Sequence, residues 1–225
     1  MSGDRGGAAR QGPLTLEPDD RAAAHECRPA VFLDRDGVLN ELVPDPDSGD
    51  PESPLQVAQV RLIAGAAAAA RELAGAGFAL VCVSNQPAAA KSRATIAQLH
   101  AIHARVLVLL ARQGVRLDAS RLCLHHPDGV APALSGPCHC RKPRPGMLLD
   151  AAGELGLDLS ASWMLGDTDA DVRAGHNAGC RTILIEYPGS AHKRTGTAHP
   201  EALAPDLACA VALLLCATAP SRDAP

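Results

Sequence analysis

Aromatic side chains are nearly missing from this 225-residue chain, which has two Phe, one Trp and one Tyr. So few rings leave little for single-stranded bases to stack on, and a core must be built from Ala, Leu, Val and Ile instead. An excess of positive charge is missing too. The formal net charge of −4 provides no general attraction to nucleic acid or to an anionic membrane. No apolar run approaches the length of a membrane span, and residues 1–28, rich in Gly, Ala, Arg, Asp and Pro, lack the apolar core of a signal peptide. Eight cysteines are present, but three crowd into one short segment with metal-like spacing and the rest lie in apolar surroundings. A reduced, cytoplasmic, monomeric protein is expected rather than a disulfide framework. The length and the 47% hydrophobic content fit one domain over residues 29–217, between a disordered tail at 1–28 and a flexible one at 218–225.

What is present is organised around Val31-Phe32-Leu33-Asp34-Arg35-Asp36-Gly37-Val38-Leu39-Asn40. A short, wholly apolar run at 30–33 reads as a strand buried on both faces. It stops at one carboxylate, and a second follows two residues later, so Asp34 and Asp36 can face one site. Residues 41–59 are polar and proline-rich and are expected to form an irregular excursion over the strand's end. Further along, helices are expected over 64–76, 95–113, 145–155, 169–178 and 206–217, with strands over 78–83, 121–124, 162–165 and 181–187. Alternating strand and helix imply a three-layer α/β/α, Rossmann-like parallel sheet. Ligands in such sheets bind beyond the carboxyl ends of the strands. Three apolar strands here terminate in Asp34, in Ser84-Asn85 and in Asp167.

Polar groups so placed suit phosphate-ester chemistry. Paired carboxylates repel unless a cation or phosphoryl group lies between them. Asp34 and Asp167 could hold Mg²⁺, a hard ion that prefers oxygen. Asp34 could then attack phosphorus to give an aspartyl phosphate, while Asp36 protonates the leaving alcohol and later activates water. Ser84, Asn85 and the backbone N–H groups after them, including the Gln86 stretch, would hold phosphoryl oxygens, with Lys142 as the balancing cation.

Asp34-Arg35-Asp36-Gly37, Ser84-Asn85-Gln86, Arg141-Lys142-Pro143 and Gly166-Asp167-Thr168-Asp169-Ala170-Asp171, in that order, resemble the four motifs of the haloacid dehalogenase superfamily of phosphatases. The resemblance spans roughly residues 29–187. It implies Asp34 as nucleophile, Asp36 as general acid/base and Lys142 as charge balance. It further implies Mg²⁺ on Asp34, the Asp36 carbonyl and Asp167, supported by Asp171, and no large cap domain. A finer resemblance comes from Cys123-Leu124-His125-His126-Pro127 followed by Cys138-His139-Cys140. Three thiols and one imidazole match a closed tetrahedral structural Zn²⁺ site. A loop of this kind, 123–140, running into Arg-Lys-Pro resembles the branch containing D-glycero-D-manno-heptose 1,7-bisphosphate 7-phosphatase and histidinol-phosphate phosphatase. The zinc would fix the position of Arg141 and Lys142.

Three departures from that pattern bear on the substrate. The usual Ser-Gly-Ile-Ala-Arg-Gly is replaced by Pro87-Ala88-Ala89-Ala90-Lys91-Ser92, so Lys91 keeps a positive charge but not the fork of arginine. Val38 stands where threonine is common, and Thr168 where the heptose enzymes can carry lysine. A bisphosphate needs a second cationic cradle, which Lys91, Arg141 and Arg144 could supply, whereas the amine of histidinol phosphate prefers carboxylates. A heptose bisphosphate is therefore the expected substrate and histidinol phosphate the alternative. A polynucleotide 3′-phosphatase is disfavoured by the acidic charge and scarce rings, and a non-catalytic binding protein by the intact set of motif carboxylates. Arg35 and Arg144 are expected at the surface or in support of the site, and His126 and His139 outside the zinc shell. His100 and His103 are expected in solvent, His176 in a structural place, and Cys27, Cys82, Cys180, Cys209 and Cys216 in tail or core.

Overall fold

In chain order the elements are β1 (Arg28–Leu33), β2 (Val43–Pro44), β3 (Pro51–Glu52), α1 (Ala66–Gly75), β4 (Ala79–Asn85), α2 (Ile96–Arg112) and β5 (Ala119–Cys123). They continue with α3 (Gly146–Leu155), β6 (Leu157–Gly166), α4 (Asp169–Ala178), β7 (Arg181–Ile185), β8 (Ala202–Ala204) and α5 (Leu207–Thr218). The computed structural model describes residues 27–219; the tail readings fall mostly outside the described residues.

Apolar residues at successive strand positions divide between two cores. Val31 and Leu33 of β1 join one apolar cluster with residues of α1, α2 and α5. Ala30 and Phe32 join another with residues of α3 and α4. Strands buried on both faces explain the unbroken apolar runs, and helices on both sides make the three layers. Each fully buried Leu, Ile or Val contributes about 1.5–3 kcal/mol, so the aliphatic side chains suffice without rings. Among the described residues no helix is long and apolar enough to cross a membrane.

Six strands run parallel in the order β5-β4-β1-β6-β7-β8. The chain builds outward from β1 through β4 to β5, then returns to the other side of β1 with β6. Strand order reverses beside β1, which puts a crevice at its carboxyl end. Local chemistry sets the helix starts. Thr95 and Gln98 cap α2 reciprocally, at 3.1 and 2.8 Å, and Asp206 accepts the Cys209 N–H at the start of α5, 2.8 Å.

Several expectations need correction. The 41–59 excursion is not wholly irregular: β2 and β3 pair antiparallel, Val43 with Glu52 and Pro44 with Pro51. Strand β6 begins five residues before the expected start, and β8 has no counterpart in the sequence reading. His103 is buried, 8% exposed, because it lies one turn from Leu99 on the stripe that Ile102 and Val106 also bury. Cys209 and Cys216 are exposed on α5 rather than in tail or core.

Candidate active site

Asp34 follows the last residue of β1 and still belongs to the ladder, its N–H donating to Leu165 of β6 at 3.0 Å. Ser84 and Asn85 end β4 next to it, and Asp167 follows β6 on the other side. Parallel register thus brings three separate segments to one rim. Asp34, Asp36, Ser84, Asn85, Lys91, Arg141, Lys142, Asp167 and Asp171 all line one cleft. Gln86 does not: its buried amide donates to Asp36 Oδ2 (2.6 Å) and Ser84 Oγ (3.0 Å). Arg144 also stays away from the cleft, bonding the Cys138 carbonyl at 2.6 Å.

Lys142 Nζ is buried among three oxygens. It lies 2.9 Å from Asp34 Oδ1 and 2.5 Å from Asp171 Oδ1, and donates to the Val83 carbonyl at 2.7 Å. Burial opposes its charge, but Asp171 and Asp34 hold its pKa above the ordinary lysine value. Asn85 clips the lysine's backbone, Nδ2 donating to the Lys142 carbonyl and Oδ1 accepting its N–H, both at 3.1 Å. Asp171 has two duties, since its Oδ2 also accepts from Thr168 N (3.0 Å) and Oγ1 (2.6 Å) at the start of α4.

The two motif carboxylates that follow β1 sit in opposite electrostatic environments. Burial raises the Asp34 pKa to about 6, with Asp171 and Asp36 adding to the rise and Lys142 opposing it. Asp36 is also buried, yet Arg35, Asn40 and Ser53 hold it below the ordinary value. Its oxygens accept from Arg35 Nη2 (2.8 Å), Asn40 Nδ2 (2.7 Å), Ser53 Oγ (2.9 Å) and Gln86 Nε2. Arg35 is fully buried against Asp36, a supporting place. Asn40 and Ser53 thus also hold Asp36, and neither lies in one of the four motifs. Asn40 lies one helical turn's spacing after Asp36, a local signal; Ser53 arrives from the excursion and had none.

Asp34, Asp167 and Asp171 each bring a buried carboxylate oxygen within 4.8 Å of the others. Asp167 Oδ1 is buried with no hydrogen-bond partner, and burial, with Asp34 and Asp171, raises its pKa well above the ordinary value. Three crowded, buried carboxylates, with Asp167 left unpartnered, fit a hard divalent cation such as Mg²⁺. Two glycines make the room: Cβ atoms at Gly37 and Gly166 would lie 2.0 Å from Asp167 Oδ2 and 2.2 Å from Asp171 Cβ.

A second cluster borders the first. Cys123 ends β5 opposite Asn85 in the register, and Cys123, His125, Cys138 and Cys140 form one ligand-like group. Sγ atoms are 3.7 Å apart for Cys123–Cys138 and 3.2 Å for Cys123–Cys140, with His125 Nδ1 at 3.9 and 3.5 Å from Cys123 and Cys140. A tetrahedral ion with bonds of about 2.3 Å to sulfur and about 2.0 Å to nitrogen has edges of about 3.5–3.8 Å. The described thiols are all free, and the donor set is consistent with zinc. Arg141 Nη1 donates back to the His125 carbonyl at 3.2 Å, so the cluster is tied to the Arg141-Lys142 segment.

A parallel sheet with carboxylates gathered at its switch point defines a phosphatase of the haloacid dehalogenase type. The HAD-hydrolase-like family model matches residues 139–210. Among solved structures, a putative HAD-like phosphatase from Mesorhizobium loti is 31% identical, covering 91% of this chain and 92% of its own, with a TM-score of 0.68. D,D-heptose 1,7-bisphosphate phosphatase from B. bronchiseptica, complexed with magnesium and phosphate, is 30% identical over 84% of this chain and 99% of its own, with a TM-score of 0.66. The D-glycero-beta-D-manno-heptose-1,7-bisphosphate 7-phosphatase of Yersinia pestis is 40% identical over 161 residues, 72% of this chain and 81% of the relative. The D-glycero-D-manno-heptose-1,7-bisphosphate 7-phosphatase of Thermosynechococcus vestitus is 40% identical over 192 residues, 82% and 94% of the two chains. The chain belongs to the D-glycero-D-manno-heptose-1,7-bisphosphate 7-phosphatase family.

Proposed function

We propose that this chain hydrolyses the 7-phosphate of D-glycero-D-manno-heptose 1,7-bisphosphate through a phosphorylated Asp34. The observation that carries the chemistry is a buried Asp34 beside Lys142 and Asp167 at the sheet's switch point. Family membership and the cations Lys91 and Arg141 on the same cleft support the bisphosphate.

In the first half-reaction an Asp34 oxygen bonds to phosphorus while the bond from phosphorus to the sugar oxygen breaks, and Asp36 gives that oxygen its proton. Arg35 and the hydrogen bonds keep Asp36 ionised in the free protein; an arriving phosphate dianion adds a like charge beside it and favours its protonation. In the second half-reaction Asp36, now a carboxylate, takes a proton from water. The water oxygen bonds to phosphorus, the bond to Asp34 breaks, and inorganic phosphate leaves. Lys142 balances the negative charge beside Asp34 throughout. Ser84 Oγ accepts from Gln86, which leaves its hydroxyl hydrogen for a phosphoryl oxygen, while Asn85 acts by holding Lys142 in place.

Mg²⁺ held by Asp34 and Asp167, with Asp171 in support, would supply the positive charge that lets a carboxylate approach an anionic ester. Zn²⁺ held by Cys123, His125, Cys138 and Cys140 would order the loop that delivers Arg141 and Lys142.

Phosphate release with Mg²⁺ from heptose 1,7-bisphosphate and from histidinol phosphate tests the assignment. The heptose bisphosphate is expected to have the higher kcat/KM, and Asp34→Asn is expected to abolish turnover while circular dichroism stays unchanged. Preference for histidinol phosphate, or turnover by a folded Asp34→Asn protein, refutes it.

A further inference from the structure

The four motifs serve the phosphate that is hydrolysed; a bisphosphate carries a second one that needs its own cation. Lys142 is already enclosed by Asp34, Asp171 and the Val83 carbonyl, so its charge is taken up. The Arg141 guanidinium is partly committed to the His125 carbonyl. Besides Lys91, one more cation reaches the cleft from a segment outside every motif: Lys193, the last residue of the 3₁₀ turn Pro188–Lys193 that follows β7.

That turn is fastened from beneath. Arg194 Nη1 donates to the Asp167 carbonyl (3.1 Å) and to Ser190 Oγ (2.9 Å), and Thr195 N donates to Asp169 Oδ2 (2.9 Å). The base of the lysine stem is therefore set by the same loop that carries the metal-site carboxylates. At its tip, Lys193 Nζ donates to Glu52 Oε2 of β3 at 2.7 Å, joining the hairpin to the turn across the cleft wall. Both side chains are partly exposed, 29% and 41%, and an ion pair in that setting is cheap to exchange. A phosphate dianion brings more charge and more acceptor oxygens than the carboxylate it would replace.

We propose that Lys193 is a specificity-determining residue that binds the phosphate not being hydrolysed, and that Glu52 holds its ammonium at the cleft until substrate takes it over. The proposal rests on the bisphosphate reading above.

The test compares kcat/KM for heptose 1,7-bisphosphate and heptose 7-phosphate, with Mg²⁺, in wild type, Lys193→Gln, Lys193→Arg and Glu52→Gln. The bisphosphate-to-monophosphate ratio is expected to fall about tenfold in Lys193→Gln, mainly through KM, and to recover in Lys193→Arg. In Glu52→Gln, which keeps the cation, the ratio is expected to hold or rise. A bridge that only braces the fold would make Glu52→Gln and Lys193→Gln lower both substrates alike. That pattern, or an unchanged ratio in Lys193→Gln while wild type prefers the bisphosphate, overturns the inference and leaves the proposed reaction standing. A wild-type protein with no preference for the bisphosphate over the monophosphate overturns the inference together with the bisphosphate specificity it rests on, and leaves hydrolysis through Asp34 to the tests above.

Discussion

Replacing Gly37 by alanine tests the geometry of the metal site with one methyl group. Gly37 has φ +89°, and a Cβ there would meet Asp167 Oδ2 at 2.0 Å and Asp167 Cγ at 2.7 Å. Restoring a contact of about 3 Å requires the carboxylate to retreat by roughly 1 Å, a displacement of the size that costs about a hundredfold in rate. The left-handed backbone adds about 1–2 kcal/mol and the overpacking about 1–3 kcal/mol. A drop of about 2–5 kcal/mol corresponds to roughly 4–20 °C in Tm for a chain of this size. Gly77 supplies the control, with φ +94° and nothing within 4 Å of its would-be Cβ, so Gly77→Ala carries the backbone cost alone. Thermal melts with and without Mg²⁺, alongside phosphate release, separate the two. Gly37→Ala is expected to lose both turnover and the Mg²⁺-induced rise in Tm, and Gly77→Ala to keep them. If Gly37→Ala responds to Mg²⁺ and turns over like Gly77→Ala, Asp167 is not where the reasoning needs it.

The remaining predictions concern pH and zinc. Asp34 has its folded pKa raised from 3.8 to about 6, so in metal-free protein its stabilising share is complete below about 4 and is lost as pH rises through 6. Mg²⁺ requires the ionised carboxylate; its effect on Tm should therefore grow between pH 4 and 7, and a shift independent of pH in that window refutes the assignment. His103 titrates the other way: burial, with Arg35 nearby, lowers its pKa from 6.5 to about 4. The unfolded chain then binds more protons between those values, and stability falls as pH drops from 6.5 to 4. His103→Leu should remove that fall and so gain on wild type steadily toward low pH in thermal melts; a constant difference counts against it. Chelating zinc should lower turnover while far-ultraviolet circular dichroism persists, with zinc and not Mg²⁺ restoring activity. Full turnover by a demonstrably zinc-free protein contradicts the role given to the loop.

How much of this could be read from the chain depends on how local the cause is. Apolar runs that stop at Asp34, at Ser84-Asn85 and at Asp167 announce strand ends, and strand ends in a parallel sheet share a rim, so the site's centre was legible. Cys123, His125, Cys138 and Cys140 were legible because ligand spacing is a property of the sequence itself. The paired strands β2 and β3 have two residues each, too few for any period to register. Strand β8, Ala202-Leu203-Ala204, has a composition better suited to helix and is set by its place at the sheet edge. Lys193 and Ser53 reach the site only because loops far apart in sequence fold over the same crevice, and no local pattern marks such residues. His103 differs from its expected place in solvent because its helical spacing puts it on the apolar stripe of Leu99, Ile102 and Val106, and the stripe outweighs the polarity of the ring.

Asn85 and Cys123 face each other on adjacent strands, and the segment carrying Lys142 hangs between them with neither helix nor strand of its own. Its order rests on an amide clip and on the ion pairs of Lys142, and would rest on zinc ligation as well, whereas the sheet's order depends on aliphatic packing. These two supports have different melting behaviour. On a heating curve run where zinc is scarce, the protein should stop working at a temperature well below the one at which it unfolds, the first set by ion occupancy and the second by the core.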